Sequence, residues 1–192
     1  MSIELPSDRE IGQTVQETVA HILRISVDDV APDAKLGKDL GMTSLDYVDL
    51  QFSLESEYRV EFYSGSAVER IAELLVPAKL QERGLLTEFG ANVLQLRLPE
   101  VEAGRLQAGE PGAIEALFTS KTWARTVREL LAARPDLCPH CQSSELEVTD
   151  PSTMRCRSCR RETTCPDGEA CLVEWVETIR PSLATPNVPR GE

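Results

Sequence analysis

Apolar positions early in this chain recur at helical spacing, then give way to a polar stretch marked by proline and glycine. Between residues 8 and 24, Ile11, Val15, Val19, Ile22 and Leu23 form one stripe, which predicts an amphipathic helix. The segment SVDDVAPDAKLGKDLGM breaks that period, contains Pro32, Gly37 and Gly41, and reads as a long loop. A second helix is predicted from Thr43 or Ser44 to about Tyr58. Its Leu45, Val48 and Phe52, with Leu50, Leu54 and Tyr58 on the adjoining edge, are expected to make a wide buried face. Asp46, Asp49, Ser53 and Glu57 follow spacings of three and four, so they share a different face.

Farther along, Ser66 and Glu69 stand in a capping-box relation ahead of Val68, Ile71, Leu74 and Leu75. The expectation is a helix, interrupted at Pro77 and finished near Gly84. PEVEAGRLQAGEPG, residues 99–112, reads as a loop. A last helix is predicted after Thr119 as N-cap. Trp123, Val127, Leu130 and Leu131 form its apolar stripe, Phe118 stapled on Trp123 starts it, and Pro135 follows its end. SSELEVTDPSTMRC reads as strand, turn, strand, with Asp150-Pro151 at the turn. The proline-rich end, RPSLATPNVPRGE, is expected to be disordered.

Composition narrows the classes. Hydrophobic residues make up 41% of the 192 positions, enough for a core, and aromatics only 5%, which points to a helical interior packed with Leu, Val and Ile. With 32 acids against 20 bases the formal net charge is −12, which disfavours nucleic acid as a partner, because phosphate contacts need clustered Lys and Arg. Residues 1–62 hold 13 acids against 5 bases, a balance of −8, so most of the acidity sits at this end. Such a surface favours partners with basic docking faces. The start, MSIELPSDRE, has neither a basic n-region nor an apolar h-region, and no apolar run reaches bilayer length. A cytoplasmic protein without a membrane span is expected, and there its six cysteines are expected as metal ligands or thiols rather than disulfides.

Four of those cysteines form two C-x-x-C pairs, Cys138/Cys141 and Cys156/Cys159, separated by 14 residues. Two such knuckles place four thiolates within reach of one tetrahedral ion, a donor set that suits zinc, with iron as the minority alternative. The whole resembles a zinc ribbon. Four cysteine ligands leave no open coordination position, so the metal is expected to be structural and its removal to unfold the module. Cys165 and Cys171 are left over and expected as free thiols. Residues 138–175 carry 4 bases against 7 acids, which favours a protein-docking or stabilising role over nucleic-acid binding.

The run DLGMTSLDYVDLQFSLESEYRVEF, residues 39–62, resembles the prosthetic-group site of acyl carrier proteins. In that family the serine of a Gly-x-Asp-Ser-Leu signature carries a 4′-phosphopantetheine arm, and the matching residue is Ser44. The product is a phosphodiester, whose charge is favoured at a helix N-terminus. The family's usual Asp before the serine, which often contacts the phosphopantetheinyl transferase, is Thr43 here. The resemblance further implies that ketosynthases, acyltransferases or acyl-activating enzymes read the second helix through acids, for which Asp46, Asp49 and Glu57 are the candidates. Residues 118–133 resemble the family's last helix, displaced by an insertion whose role as lid, docking surface or padding stays open.

The expected fold is therefore mainly α: an acyl-carrier-like four-helix bundle over residues 1–135, with an insertion at roughly 64–117. A small β zinc ribbon at 136–178 and a disordered tail at 179–192 complete it. The expected function is carriage of acyl intermediates as thioesters at Ser44, in fatty-acid-like or polyketide-like biosynthesis. No enzyme activity is expected, since neither His21 nor His140 pairs recognisably with a nucleophile. The other reading is a zinc-dependent interaction adaptor that keeps a carrier fold as a relic.

Overall fold

The computed structural model describes residues 5–83, 85–101, 106, 114 and 117–183. Among the described residues it contains six α-helices and two small antiparallel sheets. Helix α1, Asp8–Leu23, opens on a reciprocal capping box: the Ser7 hydroxyl accepts from the Glu10 N–H, and Glu10 accepts from the Ser7 N–H at 2.8 Å. Its stripe Ile11, Val15 and Val19 is fully buried. The loop that follows is ordered by three buried anchors, Val30, Leu36 and Met42. It is tied down where the Leu36 N–H donates to the Phe118 carbonyl at 2.9 Å and Lys35 bridges Thr119. A segment whose regular structure is one 3-10 turn, Val27–Asp29, thus behaves as part of the bundle.

Helix α2, Ser44–Tyr58, contributes Leu50 and Leu54 to the same core. Its last carbonyls are satisfied by a cation: Arg134 Nη2 donates to the carbonyls of Tyr58 and Arg59 at 2.8 and 2.6 Å. Helix α3, Ala67–Leu74, is capped by Ser66 and ends ahead of Pro77, well short of Gly84. A minute hairpin follows, β1 (Gln81–Glu82) paired with β2 (Leu85–Leu86), and then helix α4, Glu88–Arg97, which the hydrophobic pattern does not announce. Most of the expected loop at 99–112 lies outside the described residues. Helix α5, Ser120–Ala132, begins at Thr119 as predicted and packs most extensively on α1. Trp123 stacks near Tyr47 (centroids 6.3 Å, planes 17° apart) and meets Phe62 at a tilt (5.5 Å, 50°).

The knuckle region folds as a three-stranded antiparallel sheet in the order β3 (Leu146–Asp150), β4 (Thr153–Cys156), β5 (Glu162–Thr164). Leu146, Met154, Cys138, Cys156 and Cys165 form its small core. Residues Gly168–Leu183 then form one further helix, α6, in place of the expected ribbon end and of a tail disordered from residue 179. Its Leu172 and Val176 are buried, and Ile179 and Leu183 pack beside them. Residues 184–192 lie outside the described residues.

Two apolar cores result. The first joins α1, the loop, α2 and α5; the second joins α3, α4 and α6 through Ile71, Leu80, Leu94, Leu98, Leu172 and Val176. Helix α6 therefore returns to the middle of the chain. That return is close: the Gly168 N–H donates to the Glu61 carbonyl at 2.8 Å, and a Cβ on Gly168 would fall 2.1 Å from the Tyr63 backbone nitrogen. Arg70 Nε pairs with Glu169 at 2.7 Å, and Arg180 Nη2 donates to the Leu74 carbonyl at 3.0 Å.

Candidate carrier site and metal centre

Ser44 is exposed as the first residue of α2. Two local devices place it there. Gly41 takes φ +77°, a left-handed conformation that favours glycine, and turns the chain so that Met42 drops into the core. Thr43 is the N-cap: its hydroxyl accepts from the Asp46 N–H at 3.4 Å, while its own N–H donates to Asp46 Oδ2 at 2.7 Å. The Thr43 N–H, and after it the Thr43 hydroxyl, hold the Asp46 carboxyl below the ordinary carboxylate range. An aspartate at position 43 could accept the same Asp46 N–H, but only the Thr43 hydroxyl can also donate to Asp46 Oδ2, as it does at 2.7 Å.

The acidic candidates separate on inspection. Asp46 is partly committed to the cap, whereas Asp49 and Glu57 are exposed. The buried face expected from Leu45, Val48 and Phe52 is corrected: these residues are 69%, 47% and 64% exposed, and the interior is filled by Leu50 and Leu54. Both stripes of α2 are apolar. The bundle takes one, and the other stands beside Ser44 among the acids. Periodicity shows two stripes and does not say which one the other helices cover.

Ser44 also lines a cavity of about 340 Å³, so the cavity reaches the surface beside its hydroxyl. The bundle contributes Val48, Phe62 and Trp123 to the walls; the added segments contribute Leu94 of α4, Leu98 just past its end and Leu172 of α6. Along it an ion-pair chain joins α4 to α5. Arg97 Nη1 donates to both Glu129 oxygens at 2.8 and 2.7 Å, Arg125 Nη1 donates to Glu129 Oε1 at 2.7 Å, and Arg125 Nη2 meets Glu100 at 3.1 Å. Burial pushes the Glu100 carboxyl up, but its Arg125 hydrogen bond and charge outweigh that and leave it lowered. The insertion thus builds part of the enclosure around the serine, which its sequence does not disclose.

The four knuckle thiols converge. The sulfur atoms of Cys138, Cys141, Cys156 and Cys159 all lie within 4.8 Å of one another, with Cys138–Cys159 at 3.7 Å and Cys141–Cys156 at 3.6 Å. A tetrahedral site with metal–sulfur bonds of about 2.3 Å has edges near 3.8 Å, so the donor set and its spacing fit zinc. The two knuckles share one backbone device: the residue after each pair, Gln142 or Arg160, is left-handed and returns its N–H to the first cysteine's carbonyl at 2.8 Å. The Cys156 thiol is lowered to about 7, chiefly by the Cys159 backbone N–H. Cys165 is buried beside this cluster and Cys171 lines the cavity; burial raises both thiols, Cys171 to about 11. Neither belongs to a second metal-ligating cluster among the described residues.

A helical bundle presenting an exposed serine hydroxyl at a helix start, on an acidic chain, has the form of a covalent carrier. The family model for the phosphopantetheine attachment site matches residues 13–70. The chain is 43% identical over 47 residues to an acyl carrier protein of Sulfurovum sp. (strain NBC37-1), spanning 24% of this chain and 63% of that protein. It is 33% identical over 69 residues to an acyl carrier protein of Saccharopolyspora erythraea, spanning 35% of this chain and 73% of that protein. No solved structure matches. The chain belongs to the acyl carrier protein family. Among the described residues no helix is long and apolar enough to cross a membrane.

Proposed function

We propose that this protein carries acyl groups as thioesters on a 4′-phosphopantetheine arm attached to Ser44, and that Cys138, Cys141, Cys156 and Cys159 hold a structural zinc ion. The observation that carries the reading is the exposed Ser44 hydroxyl at the start of α2, set by Gly41 and Thr43 within the matched segment. A phosphopantetheinyl transferase forms the phosphodiester on Oγ, and the arm, once attached, supplies the thiol that bears the acyl group. The chain's own residues present and recognise. Asp49 and Glu57 offer charge to basic partner surfaces, and Leu45, Val48 and Phe52 offer apolar contact between them. Such partners are ketosynthases, acyltransferases or acyl-activating enzymes of fatty-acid-like or polyketide-like biosynthesis. The protein itself performs no catalysis in this scheme.

Intact mass after incubation with coenzyme A and a broad-range transferase tests it. One phosphopantetheine is expected on the parent and none on Ser44→Ala. No addition to a folded, zinc-loaded protein by several transferases would overturn the reading in favour of an interaction adaptor.

A further inference from the structure

Helix α6 is joined to the ribbon with almost no slack. Cys165, 3% exposed, belongs to the ribbon's core, and its N–H donates to the Ser152 carbonyl at 2.8 Å. Only Pro166 and Asp167 separate it from Gly168, whose N–H is bonded to the Glu61 carbonyl. Asp167 also starts the helix: its carboxylate accepts from the Ala170 N–H at 2.8 Å, and its carbonyl from the Cys171 N–H at 3.0 Å. The ribbon is held in turn at the end of α2, where Arg59 Nη1 donates to the Val148 carbonyl at 3.0 Å. The short segment 59–63 is therefore pinned twice, by β3 through Arg59 and by α6 through Glu61.

We propose that the ribbon is a metal-operated latch: with metal on its four thiols it seats α6 on the second core, and without metal α6 comes free while the first core and Ser44 stay in place. The proposal rests on the zinc reading of Cys138, Cys141, Cys156 and Cys159. The ribbon's buried core is small, and three of its five members are cysteines, so little apolar burial holds the fold once the ion is gone. Residues 133–167 would then be a flexible loop that must close each time α6 docks. For about 35 residues that closure weakens docking by roughly the 3/2 power of the length, a factor on the order of a hundred. A folded ribbon removes that factor, because its last buried residue already stands beside the anchor at Gly168. Helix α6 has little else to hold it: Leu172 and Val176 are buried, and Glu169 and Arg180 pair with α3 near the surface. Its 16 residues are too few for a stable helix in isolation, so an unseated α6 unravels. The first core has no such dependence, since α1, α2 and α5 pack on one another through Ile11, Val15, Leu50, Leu54 and Val127.

Hydrogen exchange of the full chain, read peptide by peptide by mass, tests the latch, with zinc counted in the same samples and the thiols kept reduced. Three states are compared: zinc-loaded protein, the same protein after chelation, and the chelated protein given one equivalent of zinc back. Amides of α6 are expected to exchange on the order of a hundredfold faster after chelation, those of α1 to keep their rate, and returned zinc to restore the slow rate in α6. Gly168→Ala strains the anchor and leaves the four thiols alone, so it should speed exchange in α6 with zinc still bound. Chelation that frees the amides of β3 to β5 while α6 keeps its rate would overturn the latch and leave the zinc reading standing. Equal loss of protection in α1 would overturn it too, since the metal would then hold the whole chain rather than α6. A chain that takes up no zinc, with β3 to β5 protected alike in all three states, would overturn the zinc reading and the latch with it.

Discussion

Replacing Gly168 with alanine tests how tightly α6 is bound to the carrier part. The added Cβ would lie 2.1 Å from the Tyr63 nitrogen and 2.7 Å from the Phe62 carbonyl carbon, both backbone atoms that cannot rotate away. The start of α6 must lift, and the Gly168 to Glu61 hydrogen bond lengthens or breaks. Overpacking of this kind costs about 1–3 kcal/mol and a lost hydrogen bond about 1 kcal/mol, for a total of about 2–4 kcal/mol. In a chain of this size each kcal/mol moves the midpoint by about 2–4 °C, so a fall of about 4–16 °C is expected. Gly12 is the internal control: it lies inside α1, and nothing stands within 4 Å of its would-be Cβ. Gly12→Ala should gain about 0.5–1 kcal/mol, because alanine loses less backbone freedom on entering a helix. Both are measured by thermal and urea unfolding at saturating zinc, with metal content checked. A Gly168→Ala protein as stable as its parent would refute the close return of α6.

Other outcomes follow from the same geometry. Leu50→Ala, at a fully buried position, should cost about 2–5 kcal/mol in urea unfolding, while Leu45→Ala at 69% exposure should stay within about 0.5 kcal/mol; similar costs for both would undo the assignment of the two stripes. Cys156→Ser should lower bound zinc from one per chain, and the amides of β3 to β5 should lose exchange protection while those of α1 keep theirs; retained protection would remove the metal from the ribbon's stability. The Asp46 carboxyl is depressed in the folded state by the Thr43 N–H, so its contribution is complete above its ordinary value of 3.8 and disappears as pH falls through the lower folded value. Asp46→Asn should therefore narrow its stability gap to the parent on acidification below about pH 4, and a gap that is flat across this range would show that the cap is not charge-assisted.

The carrier half is legible because its signals agree: one apolar stripe on α1, a glycine and a cap before a serine, and a terminal helix with its own cap at Thr119. The knuckle thiols are legible because two C-x-x-C turns have few other uses. The second core is not. Helix α4 buries Gly90, Ala91, Val93 and Leu94 on one broad face, but two of these are small residues and Leu96 stands exposed opposite, so no clear apolar stripe marks it. Helix α6 starts with glycine and contains Pro181, and the Pro-rich run that follows hides it. Leu45, Val48 and Phe52 mislead for a different reason. A helix with two apolar stripes gives the same period whichever stripe is buried, and only the other helices decide.

The meeting of α6 with α3 also sets an order of events during synthesis. Ile71 leaves the ribosome about a hundred residues ahead of Leu172, an interval of several seconds at roughly 5–20 residues per second. The three helices of the first core are available before the ribbon and α6 exist, so Ser44 can be presented while one wall of its cavity is still missing. A nascent chain halted after the ribbon would therefore expose the apolar faces of α3 and α4 to chaperones, and emergence of Gly168–Leu183 would cover them.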